Sequence, residues 1–199
     1  MRVSMHPGQY TVLNSPDDEV LVSTIRELEY HDAVFQLMGL DRDHRIVIHG
    51  GGAYDDKAFS LRVMERRIRE LPPGLRHRVV LENDERVFTA ADIYNVCRVT
   101  GTPGVFDVFH HSILPSFPGV NTRAVILLFQ TTWGDWRQKI HYSDQEPSKN
   151  PGAHSGTIDV EAFGEFMRTV EDLDLDIMLE VKDKQASLLR LREAYPGLQ

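Results

Sequence analysis

The chain has 199 residues, 41% of them hydrophobic and 26% charged, close to a globular average, and no stretch nears the roughly 20 apolar residues of a membrane span. Met1-Arg2-Val3-Ser4-Met5-His6 lacks the apolar core of a signal peptide, and a single cysteine, Cys97, excludes an internal disulfide framework or a cysteine zinc cage, so a cytoplasmic location without a membrane partner is expected. With 22 Lys and Arg against 30 Asp and Glu the formal net charge is -8, so bulk charge attracts no nucleic acid and such a partner would need a local cause.

In chain order, short β-branched or apolar runs at 2–6, 45–49, 78–82, 104–108, 137–141 and 176–181 alternate with amphipathic stretches near 17–38, 57–71, 89–100, 120–130, 159–171 and 183–194. Helix start signals such as Ser15-Pro16-Asp17-Asp18-Glu19 and Thr89-Ala90-Ala91-Asp92 open several of these stretches. The joints 39–44 and 72–77 read as turns, and the polar stretch 142–157 as a long functional loop. Alternation of this kind predicts an α/β fold with a parallel sheet. No linker divides the chain, so one domain over 1–199 is expected.

A polar residue closes or nearly closes each strand: His6, His49, Glu82, Asp107, His141 and Glu180. Their spacing averages about 35 residues, near the roughly 31 per unit of an eight-fold β/α (TIM-type) barrel, whose chemistry sits at the C-terminal strand ends. Six units do not close eight. The expected architecture is therefore an incomplete barrel of about six β/α units, with two further units missing before Met1.

His110, three residues after Asp107, and His154 extend the donor set to His6, His49, Glu82, Asp107, His110, His141, His154 and Glu180. Imidazole and carboxylate donors without sulfur suit Mn, Zn or Fe. Eight donors are too many for one ion and fit two or three, an arrangement that favours phosphodiester hydrolysis. Lys139 shares a strand face with His141 and is expected to point at the same centre. His49-Gly50-Gly51-Gly52 allows close backbone approach to a ligand, and Gln9-Tyr10 lie on a short loop after His6. His111 is assigned to packing or support of the ligands. His31, His44 and His77 read as surface or packing residues, Cys97 as core, and the basic runs Arg62, Arg66-Arg67-Ile68-Arg69 and Arg76-His77-Arg78 as solvated faces.

These motifs resemble the UV-damage endonucleases, repair nucleases on a TIM barrel related in architecture to endonuclease IV. The resemblance rests on His-Pro-Gly-Gln-Tyr (6–10), Leu-Asn-Ser-Pro (13–16), Glu-Leu-Glu-Tyr-His (27–31), Ile-His-Gly-Gly-Gly (48–52), Leu-Glu-Asn-Asp (81–84), Phe-Asp-Val-Phe-His-His (106–111), Lys-Ile-His (139–141), His154 and Ile-Met-Leu-Glu-Val-Lys (177–182). It implies a metal-dependent endonuclease that cuts damaged double-stranded DNA 5′ to a UV photoproduct, leaving a 3′-hydroxyl and a 5′-phosphate. The eight donors would hold two or three divalent ions, manganese first, with zinc or magnesium as alternatives. Glu82, His110 and Lys139 would serve the chemistry, Lys139 as a carboxylated lysine, and Gln9 and Tyr10 would fill the duplex where damaged bases are flipped out. Full members carry further β/α units before the His-Pro-Gly-Gln motif, including another metal-site histidine.

Two other readings keep the same residues. A xylose-isomerase-like sugar isomerase would use the barrel and metals but has no use for Gln9-Tyr10. An inactive remnant would bind DNA or a partner without cutting, and the oligomeric state is open in every case.

Overall fold

The computed structural model describes residues 2–197. Six parallel strands form one sheet in sequence order: β1 (Ser4–Met5), β2 (Arg45–His49), β3 (Val79–Glu82), β4 (Gly104–Asp107), β5 (Gln138–Tyr142) and β6 (Leu175–Leu179). Each strand pairs only with its sequence neighbours, and the sheet curls into an open TIM-type half-barrel with helices between its strands. This is the expected α/β architecture with six units.

Side chains alternate across a strand, and that period divides the sheet residues into two cores. Ile46, Ile48, Val79, Leu81, Phe106 and Ile140 point outward into one large apolar cluster with the helices. Val47, Val80 and Val105 point inward, where they meet Trp133 as a separate small cluster. Two residues further along the strands, the inward set continues as His49, Glu82 and Asp107. One apolar layer thus lies directly beneath the polar strand ends.

The helices are α1 (Asp18–Leu37), α2 (Lys57–Glu70), α3 (Pro73–Arg78), α4 (Ala90–Thr100), α5 (Val108–Ile113), α6 (Thr122–Gln130), α7 (Val160–Val170) and α8 (Gln185–Ala194). Asp17, Asp56, Asn121 and Asp159 cap their helices through side-chain oxygens, and Thr89 forms a reciprocal capping box with Asp92. Cys97 is buried in the helix-facing core, as its sequence context implied. No helix among the described residues is long and apolar enough to cross a membrane.

Three local expectations change. The 72–77 joint is the short helix α3, because Pro73 at its first turn starts a helix as readily as it ends one. The fourth strand stops at Asp107, and Val108 opens α5, a helix the strand-like spelling of 104–108 concealed. Arg78 is not on a solvated face but buried, 4% exposed. Its Nε donates to Asp32 at 2.8 Å and its terminal nitrogens reach the carbonyls of Leu40, Asp41 and His44, with the Phe35 ring 5.1 Å from the guanidinium carbon.

At the floor of the open barrel a side-chain ion pair links the segment before β1 to β6, although the two edge strands do not pair. Arg2 Nε donates to Asp176 on β6 at 2.6 Å while its guanidinium also pairs with Asp43. Arg45 lies between the rings of Trp133 and Trp136, 5.9 and 5.1 Å from their centroids.

Candidate metal centre

Parallel pairing sets His49 level with Glu82 and Asp107 level with His141. His6 follows β1 directly, and Glu180 follows β6, its N–H held by the Tyr142 carbonyl at 3.0 Å. The strand ends therefore deliver these six side chains to one rim. His6, Glu82, His141 and Glu180 bring one ligand atom each to within 4.8 Å of one another, and Glu82, Asp107 and His110 form a second such group. Glu82 belongs to both.

The hydrogen bonds show why Glu82 is the hub. Its Oε1 is 2.8 Å from His141 Nδ1 and its Oε2 is 2.8 Å from His6 Nε2, with His49 Nε2 at 3.8 Å from the same oxygen. His141 Nδ1 also lies 2.9 Å from Glu180 Oε1. Asp107 Oδ1 accepts from His110 N as the N-cap of α5, so the single turn of that helix brings Asp107 and His110 onto one group. Asn83 fixes the pair: its side-chain amide exchanges hydrogen bonds with the backbone of Asp107 at 2.9 and 3.1 Å, and its carbonyl meets His110 Nδ1 at 2.9 Å.

Burial gives these contacts their electrostatic weight. Burial would raise the Glu82 carboxyl, but His141 and His49 together with its hydrogen bonds hold it well below the usual carboxylate range. His141, which burial would lower, is raised well above an ordinary histidine by Glu82 and Glu180. Asp107 has less compensation, and burial lifts it to about 7. Burial likewise lowers His49, while in His6 the bond to Glu82 outweighs it and in His110 the charges of Asp107 and Glu82 do so. These opposed shifts mark a closely packed array of anions and imidazoles, a charge pattern suited to divalent cations.

The donors fit such cations. Asp107 Oδ2 and His49 Nδ1 are buried without hydrogen-bond partners, and two fully buried carboxylates, Glu82 and Asp107, face the same small space. An orphaned buried acceptor is costly unless something positive meets it. His154 comes from the 142–157 loop, its Nδ1 3.0 Å from the Glu180 carbonyl and its Nε2 3.3 Å from His110 Nε2. All eight sequence-selected donors are therefore gathered at one rim of the barrel.

A cleft of about 270 Å³ opens over this rim, lined in part by Gln9, His49, Glu85, His110, His154 and Glu180. Tyr10, beside Gln9, is 82% exposed. The loops after β1 and β2 are locked together: Asn14 Nδ2 donates to the Gly52 carbonyl at 2.7 Å, and Gly51, at φ +83°, has no room for a Cβ, which would stand 2.2 Å from Asn14 Oδ1.

Lys139 lies on the expected face of β5, with His141. Its amine donates to Ser4 Oγ at 2.8 Å, and its charged neighbours are Asp176, Arg2 and Asp43. Two residues back along a strand is one layer down, about 7 Å, so Lys139 springs from beneath the ring of donors. Burial lowers it to about 8.

The sequence profile described as UV-endonuclease UvdE matches residues 1–199. The chain belongs to this family. It is 35% identical to the UV DNA damage endonuclease of Clostridium perfringens over 193 residues, 96% of this chain and 47% of that protein. With the Bacillus velezensis UV DNA damage endonuclease it shares 30% identity over 203 residues, all of this chain and 63% of that one. The crystal structure of SacUVDE superposes with a TM-score of 0.91 at 42% identity, over 98% of this chain and 65% of that one. This UvdE-family chain thus spans about half to two thirds of the length of the relatives it matches. An Escherichia coli 3-keto-D-glucoside 4-epimerase superposes with a TM-score of 0.66 at 15% identity, a likeness of fold alone.

Sequence reasoning missed Asn83 and Glu85 in this UvdE-family site. Asn83 follows Glu82 in the same motif and could have been found there. Glu85 carries no local signal, because its position depends on a loop some 70 residues away.

Proposed function

We propose that this chain carries the catalytic centre of a metal-dependent endonuclease that cuts damaged double-stranded DNA on the 5′ side of UV photoproducts, leaving a 3′-hydroxyl and a 5′-phosphate. The observation that carries this reading is Glu82: one buried carboxylate whose two oxygens face separate histidine groups, in a chain of the UvdE family. The residues that would hold the ions are His6, His49, Glu82, Asp107, His110, His141 and Glu180, with Glu82 common to both donor groups and His154 at the outer rim. Manganese is the first choice, in two or three copies, with zinc or magnesium as alternatives. When bound, such ions supply a hydroxide near neutral pH and charge stabilisation of the attacking and leaving oxygens.

The chain's own residues supply orientation. Glu82 and Asp107 fix the spacing of the centre from rigid strand ends, and the Val47, Val80 and Val105 layer beneath them excludes water. His110, held by Asn83 and by α5, stands between the buried centre and the cleft, where it can orient a phosphate oxygen. Lys139 holds β5 against β1 through Ser4; the carboxylated form that the family resemblance implies would have to turn away from that partner. The substrate's negative backbone meets an acidic protein, so attraction has to come from the bound cations. Such an enzyme would work in the cytoplasm, beside the chromosome.

The test is nicking of supercoiled plasmid. UV-irradiated plasmid with manganese should be nicked, whereas unirradiated plasmid and irradiated plasmid with EDTA should stay closed. Equal nicking of both plasmids would remove the damage specificity, and nicking undiminished by EDTA would remove the metal centre.

Gln9 and Tyr10 are assigned to the duplex. They occupy an exposed loop at the cleft, and neither is a proposed ligand. Replacing both with Ala should weaken binding to photoproduct duplex by about 1–3 kcal/mol per lost stacking contact and leave metal content unchanged. The loss should shrink on substrates already unpaired at the lesion, where less unstacking remains to be offset. Equal losses on both, measured by fluorescence anisotropy, would mean the pair only shapes its loop.

A further inference from the structure

We infer that Glu85 is a third protein ligand, with His110 and His154, for the outermost ion of the centre. The inference rests on the metal-centre reading above and extends it to a residue that no motif marks.

The two histidines are oriented by backbone carbonyls. His110 Nδ1 lies 2.9 Å from the Asn83 carbonyl and His154 Nδ1 lies 3.0 Å from the Glu180 carbonyl. A carbonyl can only accept, so each Nδ1 carries the proton and each neutral ring presents a lone pair at Nε2. Those two nitrogens face one another at 3.3 Å. Two lone pairs at that distance repel unless a proton or a metal ion lies between them. Ligands at about 2.0–2.1 Å from a tetrahedral ion stand about 3.3–3.4 Å apart, so the observed separation is that of two neighbours in one coordination shell. Metal-bound histidines also characteristically donate their second ring N–H to a carbonyl or carboxylate, as both do here.

Two imidazoles alone make a weak site, and Glu85 supplies the missing anion. Its Oε2 is 3.8 Å from His110 Nε2, while its Oε1 forms an ion pair with Arg86, 3.0 Å from Nε. One oxygen is thus held by the guanidinium and the other turned toward the histidines. The loop is rigid at this point, because the Asp84 carboxylate accepts the backbone N–H groups of Arg86, Val87 and Phe88. The facing loop is cut away to admit the side chain: a Cβ on Gly152 would stand 2.8 Å from Glu85 Cγ, and Gly152 sits at φ +90°. Gly152 precedes His154 by two residues, so the loop that brings the histidine also leaves room for the carboxylate. A simple surface pair with Arg86 would need neither that gap nor that direction.

The experiment is metal titration of the full chain by equilibrium dialysis, with manganese and with zinc in separate series, on wild type, Glu85→Gln, Glu85→Asp and Glu82→Gln. Unfolding in EDTA verifies that each variant keeps its fold. Glu85→Gln should lower the affinity of the weakest-held ion by about 10–100-fold and leave the tighter ones as in wild type. Glu85→Asp, shorter by one methylene, should fall between the two. Wild-type affinity and stoichiometry in both Glu85 variants would overturn the assignment. If Glu82→Gln loses ions while the Glu85 variants do not, only the Glu85 assignment fails. If none of the variants loses an ion, the metal-centre reading fails with it.

Discussion

Replacing Glu82 with Gln should strip the protein of bound metal and abolish nicking together. The glutamine keeps the shape of the side chain but turns one oxygen into an amide donor, which then faces either His6 or His141 or an ion. Because the carboxylate serves both donor groups, its loss weakens two positions at once. Loss of an outer partner of a ligand costs about 10–100-fold in metal affinity; loss of the shared ligand should exceed that. Wild type saturated with manganese at about 100 times its dissociation constant gains about 2.7 kcal/mol of stability, and the variant should show almost none of that gain. Elemental analysis, thermal unfolding with and without manganese, and plasmid nicking measure the three consequences. Metal content equal to wild type would mean that Glu82 is not a ligand and that the strand-end array has another purpose.

Arg78→Ala should produce the largest loss of stability, about 3–5 kcal/mol. That is the range for removing one partner of a buried ion pair. The guanidinium satisfies the Asp32 carboxylate of α1 and the carbonyls of Leu40, Asp41 and His44, all of which lie on α1 or on the connection from it to β2. In its absence several acceptors are left without donors in a site that is largely closed to water. Arg78→Lys should recover only part of the loss, because an ammonium cannot span the same fork of acceptors. Urea unfolding of metal-free protein separates this effect from the metal centre. A change below about 1 kcal/mol would show that water replaces the guanidinium.

Much of the fold could be read from the sequence for a plain reason. Each inner strand is buried on both faces, so Ile46-Val47-Ile48 and Val79-Val80-Leu81 spell continuous apolar runs, and the first polar residue after each run marks the strand's end. The donors were legible because the barrel needs chemistry only at those ends. Lys139 was legible as to face but not as to depth, because the same alternation that aligns it with His141 also sets it a layer lower, beside Ser4. Arg78 was misread because a basic run looks alike whether its neighbours are water or carbonyls, and only the return of the α1–β2 connection decides which. Glu85 was invisible for a related reason, since the gap that admits it belongs to Gly152 on a distant loop.

The ion pair at the floor of the barrel bears on the order in which the chain assembles. Every strand pairing joins neighbouring units, so each closes a loop of only a few tens of residues, and the sheet can zip from any point. Arg2 and Asp176, by contrast, are 174 positions apart. Closure entropy grows slowly with length, yet it is lowest for such a contact once the intervening units are already in place. This side-chain pair between the two edges of the sheet is therefore expected to be among the last contacts to form and the first to open. Fluctuations of the native sheet should begin there, farthest along the chain from the Glu82 hub in its middle.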